Sequence, residues 1–280
     1  MRLKGAAVLI TGASSGIGEA TALAFARQRA RLAICARRPE RLHAVAEECR
    51  RQGAAAVLTV TADISRRADA QRFVDSALEE FRRVDVLVNN AGSGWRGRFE
   101  QMPEEDVRRI FETNVLGTMW TTQSALPTML ARRQGVIINV ASVVGFRATP
   151  YSSAYSGSKY AVVGFSHGLR GELSGTGVKV CVVYPPGTRT EFAGGQATPK
   201  NLRYAPSWIA ASIVRTARFP RRDVITLPFR LGLWLEPFFG GLLDHVLGEL
   251  RRGSMAALAH EEPTPREPKV RRARRSRARL

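Results

Sequence analysis

Cysteine and histidine are too scarce and too scattered for metal or disulfide chemistry. The three cysteines, Cys35, Cys49 and Cys181, and the four histidines, His43, His167, His245 and His260, share no ligand or bridging spacing. No metal site is expected. The thiols fit small apolar roles in a reducing compartment. Long apolar runs are missing as well. The first, AAVLI (6–10), is too short for a secretory core and leads into a glycine turn, so no export signal is expected. The longest, residues 227–250, is broken by Arg230, Glu236, Asp244, two prolines and four glycines. A spanning helix needs about 20 mostly apolar residues, and these interruptions argue against one.

Negative charge is the third shortage. Asp and Glu number 24 against 43 Lys and Arg, a net charge of +19. From residue 251 onward ten basic residues face three acidic ones, +7, which leaves +12 for residues 1–250. Such a surface attracts polyanions, anionic membranes and phosphorylated ligands. The tail has arginines but no aromatics for base stacking, so nucleic-acid contact through it would be nonspecific and salt-sensitive.

What is present is an alternation of short apolar strands and helical segments. The strands are read at 6–10, 31–36, 54–60, 84–89, 135–141 and 178–184, with a weaker seventh at 223–227. Crossover helices fit 16–29, 39–52 and 66–82. Continuously apolar strands are buried on both faces. The pattern predicts an α/β fold: a Rossmann-like, doubly wound parallel sheet of about seven strands with helices on both faces. It forms a single domain at 1–227. An apolar extension at 228–252 is expected to be a lid, an oligomer contact or a membrane-surface segment. A basic tail at 253–280 is expected to be disordered. The expected location is cytoplasmic, peripheral at a membrane if extension or tail makes that contact.

The first strand runs into TGASSGIG (11–18), which opens the first helix. Gly12, Gly16 and Gly18 remove side chains where backbone must turn and approach a ligand. The free N–H groups and helix dipole then face a pyrophosphate. Ser14, Ser15 and Ile17 complete the loop. The spacing is G-x-x-x-G-x-G, distinct from the commoner G-x-G-x-x-G. The second strand ends ICARRPERL, with Ala36 where an acidic residue would hold the ribose 2′-hydroxyl of NAD. Arg37 and Arg38 follow, and a guanidinium clamps a 2′-phosphate, so NADP(H) is the expected cofactor.

Further along stand Asp63 in ADIS, NNAG (89–92), Asn114 in ETNVLG, Ser142 in NVAS, and Tyr155 with Lys159 in YSGSK. With TGASSGIG, in this order, they make the sequence resemble the short-chain dehydrogenase/reductase family over about residues 4–225. The resemblance implies that Asp63 fixes the adenine amine, and that Asn89, Ala91 and Gly92 turn beside the adenine ribose. Asn114 would help hold a proton-relay water, and Ser142, Tyr155 and Lys159 match the catalytic trio. It also implies a homodimer or homotetramer through the helices carrying Asn114 and Tyr155. After the sixth strand the family has Pro-Gly and then a threonine, where this chain reads YPPGTRTEF (184–192). Either Pro185 or Pro186-Gly187 takes that slot, and Thr188 and Thr190 are both candidates for the nicotinamide-side contact.

Tyr155 and Lys159 lie four apart, one turn along a helix face. A free phenol has pKa about 10. A neighbouring ammonium would lower it toward the range useful for proton transfer. Ser142, at the carboxyl end of the fifth strand, would hold the substrate oxygen. The expected reaction interconverts a carbonyl and an alcohol, with Tyr155 as general acid/base. The substrate is expected to be a small, mostly apolar molecule, with Trp95, Phe99, Phe146, Tyr151 and Tyr184 as candidate pocket aromatics. The competing readings are an NADP(H)-binding regulatory protein without turnover, and an NAD(H)-preferring dehydrogenase.

Overall fold

The computed structural model describes residues 1–188, 192, 204–226, 240–241, 244–246 and 248–249. The basic tail and most of the apolar extension therefore lie outside the described residues. Seven strands form one sheet: β1 (Ala7–Thr11), β2 (Arg31–Ala36), β3 (Ala56–Thr61), β4 (Val86–Asn89), β5 (Gly135–Val140), β6 (Val178–Val183) and β7 (Asp223–Val224). Their order is β3-β2-β1-β4-β5-β6-β7, and every pairing is parallel. The order reverses between β1 and β4, which opens a crevice off the strands' carboxyl ends.

The helices are α1 (Gly16–Ala26), α2 (Pro39–Arg51), α3 (Arg67–Phe81), α4 (Glu104–Phe111), α5 (Gly117–Ala131), α6 (Ser153–Glu172) and α7 (Pro206–Arg218). Prolines with preset φ open α2 and α7. Strand side chains alternate between two cores. Val8 and Ile10 of β1 join Phe25, Leu42 and Ile213, so α1, α2 and α7 cover one face. Ala7 and Leu9 join Phe73, Met129 and Leu169, so α3, α5 and α6 cover the other. Because each helix returns antiparallel to the strands, helix C-termini collect at the sheet's amino edge and the strand-to-helix loops at its carboxyl edge.

Two buried polar clusters fix this frame. Asp85 accepts from the Ala7 amide at 2.8 Å and pairs with Arg83 at 2.9 Å and Arg132 at 3.0 Å. The Asn89 side chain donates to Thr122 Oγ1 and Asn139 Oδ1, both at 2.9 Å, and accepts from Thr121 at 2.6 Å. Asn139 then donates to Ser166 Oγ on α6 at 2.8 Å. Every member has a partner, so the network costs little and locks α5 and α6 to β4 and β5. Burial pushes all three thiols up, as expected of inert buried cysteines. Among the described residues no cluster of His, Cys, Asp or Glu could hold a metal. No described helix is long and apolar enough to cross a membrane.

Candidate active site

The glycine loop sits where β1 hands over to α1. Gly12 and Gly16 hold φ of +67° and +60°, conformations an L side chain rarely adopts. At Gly18 the constraint is space. A Cβ there would stand 2.2 Å from the Gly12 carbonyl oxygen and 2.5 Å from Asn90 Nδ2. Asn90 itself donates to the carbonyls of Thr11 at 3.0 Å and Gly12 at 3.3 Å. The Thr11 hydroxyl accepts from the amides of Asn90 and Ala91, each at 3.0 Å. The turn after β4 thus clasps the loop, and Gly12 packs on Ala91. A bare concave backbone at a helix N-terminus suits a pyrophosphate. Gly18→Ala is expected to weaken nicotinamide-cofactor binding at least tenfold and to lower Tm by several degrees; fluorescence titration and thermal melts would read both.

Arg38 reaches back across this loop. Its Nη2 donates to Ser14 Oγ at 3.2 Å and Ser15 Oγ at 3.0 Å. Arg37 points elsewhere: its side chain is 63% exposed and lies 4.0 Å from Asp63 Oδ2. The two adjacent arginines, equivalent in sequence, therefore have different placements. The donor set of one guanidinium and two hydroxyls fits a phosphorylated ribose. Asp63 accepts from the Ser65 amide at 3.1 Å and hydroxyl at 2.8 Å through Oδ1. The Asn89 side chain is spent in its buried network. Ala91 packs against Gly12, and Gly92 is exposed next to it.

The serine, tyrosine and lysine come together at the carboxyl edge. Ser142 follows β5 in extended backbone, φ −171°, and caps the short turn Val143–Gly145. Its hydroxyl accepts from the Val144 amide at 3.3 Å, lies 3.4 Å from the Pro185 carbonyl, and is hydrogen-bonded to Tyr155. Lys159 Nζ sits 5.8 Å from the Tyr155 ring centroid and donates to the Val140 carbonyl at 2.9 Å. With 5% exposure, Lys159 is a buried cation.

This burial corrects one expectation. Burial pushes the Tyr155 phenol up to about 12, and the Ser142 hydrogen bond offsets only part of that. Burial also pulls the Lys159 ammonium down to about 8. Desolvation disfavours both charged forms and outweighs the expected lowering by the lysine. The Tyr155 phenol is therefore protonated at neutral pH.

Asn114 lies in a π-helical turn, Glu112–Leu116, between α4 and α5. Its side chain is committed to protein groups. Oδ1 accepts from the Ser93 amide at 2.7 Å, while Nδ2 donates to the Ser93 carbonyl and Ser158 Oγ, both at 2.9 Å. Ser158 donates in turn to the Tyr155 carbonyl at 2.7 Å. Asn114 thus ties the loop after β4 to α6. In the loop after β6, the Val143 amide donates to the Pro185 carbonyl at 3.1 Å, and Thr188 donates to the Pro186 carbonyl at 2.8 Å. The Gly187 carbonyl accepts from the Tyr204 amide at 2.9 Å. Thr190 lies outside the described residues.

Among the candidate aromatics, Tyr184 is buried, stacked on Phe146 at 3.9 Å, and donates to Asp223 at 2.9 Å, so it packs the sheet edge. Phe99 is exposed. The ring that meets Tyr155 is Phe192, 5.2 Å away. Phe192, Ser158, Ser93, Thr11 and Asn90 are site residues that sequence reasoning missed. Thr11 lies inside TGASSGIG, Asn90 inside NNAG, Ser158 inside YSGSK and Phe192 at the end of YPPGTRTEF, while Ser93 lies in none of these motifs.

The parallel sheet, with its glycine turn after β1 and its crevice at the strand reversal, puts the chain in the class of Rossmann-like dinucleotide folds. Residues 6–201 match the family model of short chain dehydrogenases, and the chain belongs to that family of oxidoreductases. It is 34% identical over 242 residues to 17-beta-hydroxysteroid dehydrogenase 13 of Rattus norvegicus, covering 78% of this chain and 80% of the relative. It is 42% identical over 217 residues to 11-beta-hydroxysteroid dehydrogenase-like 4A of Arabidopsis thaliana, covering 77% and 71%. A similar solved structure is an alcohol dehydrogenase from the archaeon Thermococcus sibiricus complexed with 5-hydroxy-NADP. It shows TM-score 0.74 and 31% identity, over 80% of this chain and 96% of that one. A short chain dehydrogenase/reductase from Burkholderia phymatum in complex with NAD gives TM-score 0.79 at 27% identity, over 87% and 97%.

Proposed function

We propose that this protein is an NADP(H)-dependent dehydrogenase/reductase that interconverts a ketone and a secondary alcohol on a bulky apolar substrate. The observation that carries the reading is the convergence of Ser142, Tyr155 and Lys159 at the carboxyl edge, beside the glycine loop that Arg38 spans. A bound nicotinamide supplies or accepts the hydride. The protein supplies placement and the proton. Tyr155 donates its proton to the carbonyl oxygen in reduction, and Ser142 hydrogen-bonds that oxygen as charge develops on it. Lys159, held by the Val140 carbonyl, keeps a cation close to the phenol and limits its negative charge after transfer. Asn114 and Ser158 orient the Tyr155 backbone from behind. Gly12, Gly16 and Gly18, with Ser14, Ser15 and Ile17, would carry the pyrophosphate. Arg38 would take the 2′-phosphate, with Arg37 at its rim. Asp63, Ala91 and Gly92 would border the adenosine side, with Asn89 buried behind them, and Pro185, Gly187, Thr188 and Thr190 the nicotinamide side.

The names of the hydroxysteroid dehydrogenase relatives support a polycyclic or similarly large apolar substrate, as does Phe192 facing Tyr155. Exposed Phe111, Leu116 and Tyr160 near the π turn and on α6 favour pairing with a second copy. A panel of hydroxysteroids, ketosteroids and smaller ketones, run with NADPH and with NADH, tests the reading. The expected result is turnover of large apolar ketones with NADPH at least tenfold more efficient than NADH. No turnover on any ketone, with cofactor still bound, would favour the regulatory alternative. An NADH preference would favour the NAD(H) one.

A further inference from the structure

The excess positive charge has an address. At the sheet's amino edge, opposite the active site, a groove of about 600 Å³ runs between the start of β1 and the C-terminal ends of α1 and α7. Arg2, Lys4, Arg27, Arg29 and Arg218 line it, all exposed, and no carboxylate does. Several arginines elsewhere form ion pairs: Arg50 and Arg51 pair with Glu47 and Glu48, and Arg83 and Arg132 share Asp85. The groove's five differ. Arg27 meets the Gln52 amide oxygen at 2.9 Å and Arg218 the Gln28 amide oxygen at 3.0 Å. Among the described residues none of the five pairs with a carboxylate.

Helix dipoles account for part of this charge. Two C-terminal ends, at Arg27 and Phe219, open on the groove. Each is equivalent to about half a negative charge, so together they offset about one of the five cations. Arg27 also feels the Glu48 carboxylate, and the remaining cations concentrate a positive field in the groove. Phe219, on the same rim, is 61% exposed. A basic hollow with one projecting aromatic is the composition of a contact with a charged interface, where the ring enters the headgroup layer and guanidiniums hold phosphates. Single-stranded nucleic acid is instead gripped by a track of several stacking rings, and this groove has one.

We propose that this basal groove docks the protein on a bilayer bearing anionic phospholipid headgroups, with Phe219 in the headgroup layer and the catalytic mouth facing away. This is independent of the cofactor and substrate reading, since no groove residue lies near Tyr155. The test is co-sedimentation of the full chain with vesicles of phosphatidylcholine, with and without about 30 mol% phosphatidylserine. Binding is expected only with the anionic lipid. The triple variant Arg27→Glu, Arg29→Glu, Arg218→Glu is expected to lose it at least tenfold, while melting and turnover stay near wild type. Phe219→Ala is expected to lose a few-fold on vesicles and nothing on soluble heparin. Undiminished binding of the triple variant would assign the contact to the basic tail and overturn the proposal. So would equal binding to neutral vesicles, or displacement of vesicles by an RNA homopolymer of matched charge. If the triple variant melts early, single Arg29→Glu and Lys4→Glu variants must each still lose about fivefold, or the proposal fails.

Discussion

Tyr155→Phe is expected to cut carbonyl reduction by about a thousandfold or more, with the fold and cofactor affinity kept. General acid catalysis contributes roughly 10²–10⁴-fold. In the proposed mechanism the phenol protonates the substrate oxygen, with Ser142 hydrogen-bonded to it. The variant removes one oxygen, and its ring still packs against Phe192. A thermal melt and a cofactor titration would confirm that only chemistry is lost. A variant keeping more than a tenth of wild-type turnover would remove Tyr155 from the mechanism. The pH profile gives the sign independently. A phenol raised to about 12 stays protonated through the neutral range, so its reductive form is fully present there. Reduction should be flat up to about pH 8 and decline above it, as Lys159 and then Tyr155 lose their protons. Oxidation needs the phenolate and should climb with pH beyond 9. A reduction rate that rises from pH 7 to 9 would contradict this assignment.

Arg38→Asp is expected to lower kcat/KM for NADPH by about a hundredfold and to leave NADH within a few-fold. A charge-assisted hydrogen bond contributes about 1.5–3 kcal/mol, roughly ten- to a hundredfold each. Substituting a carboxylate adds repulsion of the 2′-phosphate, and it can accept from the ribose 2′-hydroxyl of NADH instead. The matched change Arg37→Asp should cost NADPH less than tenfold, because the Arg37 guanidinium stands out in solvent near Asp63. Kinetics with both cofactors on both variants would decide. If Arg37 proves the more costly of the two, the phosphate is held on the outer rim and not across the loop.

The strands were readable because each is a short apolar run flanked by turn residues, and β2, read at 31–36, has those limits in the structure. The ends of the helices were less readable. α1 stops at Ala26, three residues before the apolar pattern suggested, because the chain must turn at Arg29, φ +58°, to enter β2. The seventh strand shrinks to Asp223–Val224, where β6 offers it two paired residues. Within the site, Ser142, Tyr155 and Lys159 could be found because their spacing survives any loop conformation. The partition between Arg37 and Arg38 could not, since it depends on which way each side chain leaves the start of α2. The raised phenol and lowered ammonium were also hidden: they follow from burial, and sequence spacing carries no dielectric. The π turn at Asn114 and the Ser93 clasp are likewise tertiary, because the residues involved are 21 apart.

The buried Lys159 amine has a thermodynamic consequence for the whole chain. Its ordinary pKa of 10.5 drops to about 8 in the native state, so an unfolded chain holds that proton more tightly than the folded one. Below about pH 8 folding must strip water from a cation, a handicap on the order of 3 kcal/mol that fades as the medium becomes alkaline toward 10.5. An isosteric methionine at that position is expected to give a sturdier molecule that, on the proposed mechanism, is inert, so heat resistance would be ceded at that amine.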